Sequence, residues 1–149
     1  VEKQRKKSWE NKVEIVKASY LRSSRDVDFA SNFYKHLFFL KPKIKDYFVH
    51  TDFEHQDKAL THGLEFFMGF LDHSDENART QVLRISQTHS KFNLNIHPHD
   101  YYYWIEALVM TVKTLDPSWY KDMEYYWREV ISYPVSFMIS QYFKESKAD

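Results

Sequence analysis

The chain has 149 residues, the length of one ordinary domain with a single sizeable core. Its 21 basic and 21 acidic side chains cancel to a formal net charge of zero, which argues against nucleic acid as the main partner. It has no cysteine, which excludes disulfides, thiolate metal sites, iron–sulfur clusters and any thioether-attached prosthetic group within this sequence.

The sequence holds only two glycines, Gly63 and Gly69, while aromatics make up 18% of it. Sandwiches and nucleotide-binding α/β domains spend glycine on turns and phosphates, so an all-α fold is expected. No apolar run reaches the length of a membrane span, and no secretory signal opens the chain. A reducing, cytoplasmic setting fits the missing cysteines. The first residue is Val1, so either the initiator is gone or the sequence is part of something longer. One domain over 1–149 is expected, with no linker, repeat or low-complexity segment.

The charge-rich start, Val1 to Lys7, reads as a solvated tail or first turn, and Ser8 as the cap of a first helix carrying Trp9, Val13, Val16 and Tyr20. Ser23 and Ser24 interrupt that pattern. A second helix carries Val27, Ala30, Phe33, Tyr34, Leu37 and Phe38 and stops near Pro42, which opens a short turn leading to Ile44, Tyr47 and Phe48. Thr51 and Glu54 read as a capping box. In the helix that follows, Phe53, Gln56, Leu64, Phe67 and Leu71 fall within about 40° of Leu60, an apolar stripe with one amide in it. His55 and His62 fall on the opposite face. Both glycines lie inside this helix, each at a cost of roughly 1 kcal/mol against alanine, and close packing of another helix would explain them.

A fourth helix, from about Asp75 to His89, carries Ala78, Val82, Ile85 and His89 along one face. Phe92, Leu94 and Ile96 form a short apolar loop. Pro98 suits the first turn of a long helix lined by Tyr101, Trp104, Leu108 and Val112. Asp116 and Pro117 repeat the start signal for a last helix that runs from Trp119 to Phe143, with a kink at Pro134. That makes six or seven helices joined by short loops.

His89 is the residue to explain, since it sits four residues after Ile85 on an apolar face. On spacing alone a core histidine hydrogen-bonded to a neighbour is the favoured reading. Its company is more specific. Phe33-Tyr34-Lys35-His36-Leu37-Phe38 is followed by Pro42 and then Phe48; Ile85-Ser86-Gln87-Thr88-His89-Ser90-Lys91-Phe92 follows later, and then Ile96-His97-Pro98-His99-Asp100-Tyr101. In that order and at those spacings the chain, from about Trp9 to Phe143, resembles the globin family. It looks like a single-domain bacterial-type globin and resembles the flavohaemoglobin globin domain or the sensor domain of globin-coupled sensors.

The resemblance implies a globin-like fold of six to eight helices, three layered over three around a haem b held without covalent bonds. It implies His89 as the iron ligand and Phe48 stacked on the porphyrin. Tyr34 and Gln56 would be the distal polar groups, with Leu60 and Leu64 as the apolar wall. Ile85, Phe92, Ile96, Tyr101 and Trp104 would line the cofactor elsewhere. A phenol and an amide donating to a bound gas in a dry pocket would hold O2 tightly. NO and CO are further expected ligands.

Other readings of the same residues stand beside these. Tyr34 also suits a helix–helix contact, and Gln56 the edge of its stripe. His62 or His55, if turned inward, would be distal or sixth ligands. His97 and His99 read as solvated. The glutamate that flavohaemoglobins place late in their last helix falls here at Lys144, with Glu145 one residue on. The expected activity is therefore gas binding or sensing, with nitric oxide dioxygenation or peroxidase chemistry as the enzymatic alternative. A separate reductase, a signalling domain or a second copy docked through late aromatic residues are the partners these alternatives would need.

Overall fold

The structure is a computed structural model that describes residues 2–145, with side chains from Ser8 onward. Among those residues there are six α-helices and one 3-10 helix, and no strand. They are α1 (Glu2–Ser24), α2 (Phe29–Leu40), a 3-10 segment (Pro42–Phe48), α3 (Phe53–Phe70), α4 (Glu76–His89), α5 (Asp100–Leu115) and α6 (Met123–Ser140). No helix among them is long and apolar enough to cross a membrane. The main packed pairs are α2 with α5, α3 with α4, α1 with α6, and α6 with both α4 and α5.

The expected apolar faces meet in the core. Val16 and Tyr20 of α1, Phe33 and Leu37 of α2, Leu64 and Phe67 of α3, Val82 of α4 and Leu108 and Val112 of α5 are buried together around Trp127 and Val130 of α6. Gly69 lies where α4 begins. A Cβ there would stand 2.8 Å from the Ala78 Cβ and 2.8 Å from an Asp75 carboxylate oxygen, so the close approach needs glycine. At Gly63 an added Cβ would find its nearest neighbour, the Ile85 Cδ1, at 3.9 Å, so close packing does not account for that residue.

Several expected helix starts move. Ser8 is an exposed residue inside α1 rather than its cap, because the run from Glu2 to Lys7 consists of good helix formers and is itself helical. Val1 lies outside the described residues. Val27 stands 96% exposed in the turn before α2. There the Asp26 carboxylate accepts from the Asp28 N–H at 2.9 Å and fixes an Asx turn instead of a helical one. The cap of α3 is Asp52, not Thr51: Asp52 is extended and accepts from the Glu54 N–H, where a carboxylate also suits the positive end of the helix.

Helix α5 begins at Asp100, two residues after Pro98, which stays in a turn. Asp116 starts no helix. It accepts from the Ser118 N–H at 2.9 Å, but it is buried, and its carboxylate serves the core. Ser19 Oγ donates to it at 2.6 Å, Arg22 binds it through two nitrogens, and Trp127 Nε1 donates to Ser19 Oγ at 3.0 Å. The chain turns through 117–122 and α6 opens at Met123. That helix continues through Pro134, which is itself buried, with Val130, Ile131, Val135 and Met138 holding both sides of it in the core. It ends at Ser140, so Phe143 lies beyond it, 71% exposed.

Candidate ligand cavity

The helices enclose a cavity of about 340 Å³, within the size range of small-molecule and cofactor sites. Ten of the eleven residues expected at the site line it: Tyr34, Phe48, Gln56, Leu60, Leu64, Ile85, His89, Ile96, Tyr101 and Trp104. Phe92 does not. It sits in the loop after α4, 52% exposed, because the chain turns at 91–94 and carries its ring outward. The cavity reaches the surface where the exposed residues Ala59 and Thr88 line it.

The α4 wall presents His89. Its Nδ1 lies 2.7 Å from the Ile85 carbonyl one turn back, and 3.0 Å from Thr88 Oγ1. A carbonyl can only accept, so Nδ1 carries the hydrogen and Nε2 keeps its lone pair. Nε2 makes no hydrogen bond to the described residues. Burial drives the His89 pKa below the ordinary histidine value, against a smaller upward effect of the Ile85 carbonyl. The imidazole is therefore neutral at pH 7, the form that can donate electrons to a metal.

The α2–α3 wall presents Tyr34 and Gln56. Gln56 Nε2 donates to the Tyr34 hydroxyl oxygen at 2.9 Å. The hydroxyl is thus an acceptor toward Gln56 and keeps its own hydrogen to give. The expectation was that both groups donate to the ligand side by side. In this structure the amide donates to the phenol oxygen and polarises it, which leaves the Tyr34 hydrogen free. Burial pushes the Tyr34 pKa up to about 12, outweighing the downward effect of the Gln56 hydrogen bond, so the group stays a phenol. Phe33, Phe38, Phe48 and Phe53 surround the ring edge-on or stacked, with centroids 5.1 to 5.9 Å from it. His55 and His62 on α3 are exposed and absent from the cavity.

One further polar group at the cavity had no signature in the sequence. Asp100, buried at the start of α5, accepts from Lys41 Nζ at 2.7 Å and from the Tyr47 hydroxyl at 2.8 Å. Burial alone would raise its pKa, but these two donors outweigh it and hold the carboxyl below its ordinary value. The partners lie 59 and 53 residues away in the chain, beyond any local spacing rule. Lys144 and Glu145 are exposed and lie past the end of α6. The acceptor at His89 Nδ1 is a backbone carbonyl.

These titrations set a direction for stability. His89 and His36 both have pKa values lowered chiefly by burial. Below about pH 6.5 the unfolded chain binds protons there that the folded chain does not, so stability falls as the pH drops from that point. The midpoint of urea unfolding of the cofactor-free protein is expected to decrease between pH 7 and pH 5.5. The slope should be shallower in His89→Leu and retain the His36 part.

The globin family model matches residues 31–138, a span that runs from α2 into α6 and includes every residue that lines the cavity. The chain belongs to the globin family. No curated protein matches it. Among solved structures, this globin is similar to a protein from Pseudomonas aeruginosa PAO1 described as structurally highly homologous to a human hemoglobin. The two are 26% identical with a TM-score of 0.80, and the match covers 88% of this chain and 98% of the other. Family and fold together support a haem-binding globin, and the family suggests a diatomic gas as its ligand.

Proposed function

We propose that this globin holds a haem b without covalent bonds and binds O2 reversibly at a five-coordinate iron. The reading is carried by one observation: a single cavity bears an imidazole with a free Nε2 on one wall and an amide-braced phenol on another. The residues fit the group. Its flat apolar body matches walls built from Phe48, Leu60, Leu64, Ile85, Ile96 and Trp104, and the absence of cysteine leaves histidine and packing to retain it. When bound, the haem supplies a ferrous iron with one open coordination position.

The protein's residues do the rest. Ile85 fixes the tautomer and the ring direction of His89. Tyr34 offers its hydrogen to the ligand, and Gln56 keeps that hydroxyl in place. The apolar wall excludes water and so slows oxidation. A backbone carbonyl on Nδ1 enriches the imidazole less than a carboxylate would, which favours reversible binding over O2 activation. Nitric oxide dioxygenation or peroxidase chemistry, and with them a reductase, are the weaker reading. A signalling domain or second copy as partner rests on the aromatic chain end alone.

Hemin titration of the purified protein tests this. A Soret band saturating at one haem per chain is expected, with a five-coordinate deoxy ferrous spectrum. Absence of a Soret band would sink the proposal, and a six-coordinate deoxy spectrum would implicate His55 or His62 swinging inward.

A further inference from the structure

Resting on that reading of the cavity, we infer that Asp100 is a positioning residue that pins the 3-10 segment as one wall of the cavity and so sets how fast the cofactor leaves. Both ends of Pro42–Phe48 converge on this one carboxylate. Lys41, the residue just before the segment, donates to Oδ1 at 2.7 Å, and Tyr47, its last residue but one, donates to Oδ2 at 2.8 Å. Between and beside these two anchors lie Ile44 and Phe48, which line the cavity.

The segment has little to hold it from within. A 3-10 helix has poor hydrogen-bond geometry and is uncommon beyond three or four residues, whereas this one has seven, and no side chain caps its start. Its attachment therefore comes from outside. Asp100 supplies it from the rigid end of α5, which also packs on α2. Asp100 is 7% exposed, and each of its carboxylate oxygens accepts from one end of the segment. Lys41 is further fixed by the face of Tyr103, 5.1 Å from its Nζ. Asn at 100 strips Lys41 of its ion-pair partner and leaves one amide oxygen where two carboxylate oxygens accepted, which loosens the wall that carries Phe48.

The test uses the haem-loaded full chain with Asp100→Asn and, as a control, Asp116→Asn. The control also removes a buried carboxylate that accepts from an Arg and from a hydroxyl, but at the corner before α6, away from the cavity. Transfer of haem to an excess of a haem-scavenging apoprotein gives the release rate. Hydrogen exchange of the cofactor-free chain at the amides of residues 43–48 gives the opening of the segment, whose Pro42 has no amide hydrogen.

Asp100→Asn is expected to release haem at least about tenfold faster (about 1.4 kcal/mol) and to speed exchange in 43–48 while leaving α1 and α6 protected. Asp116→Asn is expected to lower the unfolding midpoint without that acceleration. Equal acceleration by both variants, or unchanged exchange in 43–48 with Asp100→Asn, would overturn the inference. Failure of the native chain to bind haem would defeat the functional reading and the release claim, while the exchange arm still decides whether Asp100 pins the segment.

Discussion

Replacing His89 by alanine is expected to abolish the Soret band after gel filtration while leaving the helical content intact. The side chain reaches the cavity from the last residue of α4, and truncation there removes the sole imidazole among the cavity-lining residues. Loss of a residue that merely orients a metal ligand costs about 10–100-fold in metal affinity, so loss of the ligand itself should exceed that. The helix should survive, because Val82 and Ser86 remain buried along its inner side and Asp75 still caps its start through the Ala78 N–H. Free imidazole should restore the band in part by filling the vacated space. Retention of haem with an unchanged spectrum in His89→Ala would place the ligand elsewhere, and the next residues to test would be the exposed His97 and His99 beside Pro98.

His89 was legible because it stands on a helical apolar face whose partners lie four to eleven residues away. The same holds for Leu60, Leu64 and Phe67, which fall on one stripe of α3 and are all buried there. A 3.6-residue period is a local signal, and local signals survive folding when the face they mark is the face that packs. Phe92 shows the limit. It lies in a turn, where no period constrains direction, and its ring points to solvent. Helix starts were the least legible feature. Ser8, Thr51 and Asp116 each carry the chemistry of a cap, but Asp52 stands next to Thr51 as a charged acceptor, and Asp116 is drawn into a buried contact with Ser19 and Arg22. Pairing across the fold was not legible at all. Nothing near Asp100 announces Tyr47 or Lys41, and nothing near Tyr34 shows that Gln56 would brace it rather than stand beside it.

That brace shapes the second large effect. Tyr34→Phe is expected to speed O2 dissociation from the reconstituted protein by roughly 10- to 150-fold, the worth of a hydrogen bond to a charged partner at about 1.5–3 kcal/mol. Carbon monoxide carries less negative charge than O2, and its release should change far less. Gln56→Leu should also speed O2 release, by a smaller factor, because the amide acts through the Tyr34 hydroxyl oxygen that it holds at 2.9 Å. The two changes should not add: with phenylalanine at 34 there is no hydroxyl to brace, so Gln56→Leu in that background should have little further effect. Additivity in the double-mutant cycle would mean that Gln56 donates to the gas directly, with its second amide hydrogen, after a rotation of its side chain. With the Tyr34 pKa up at about 12, the O2 release rate should be flat in this respect from pH 6 to pH 9, because the phenol keeps the hydrogen it donates throughout that range. Stopped-flow displacement of O2 and of carbon monoxide at several pH values measures these quantities, and an O2 release rate unchanged by Tyr34→Phe would remove the phenol from the ligand's surroundings altogether.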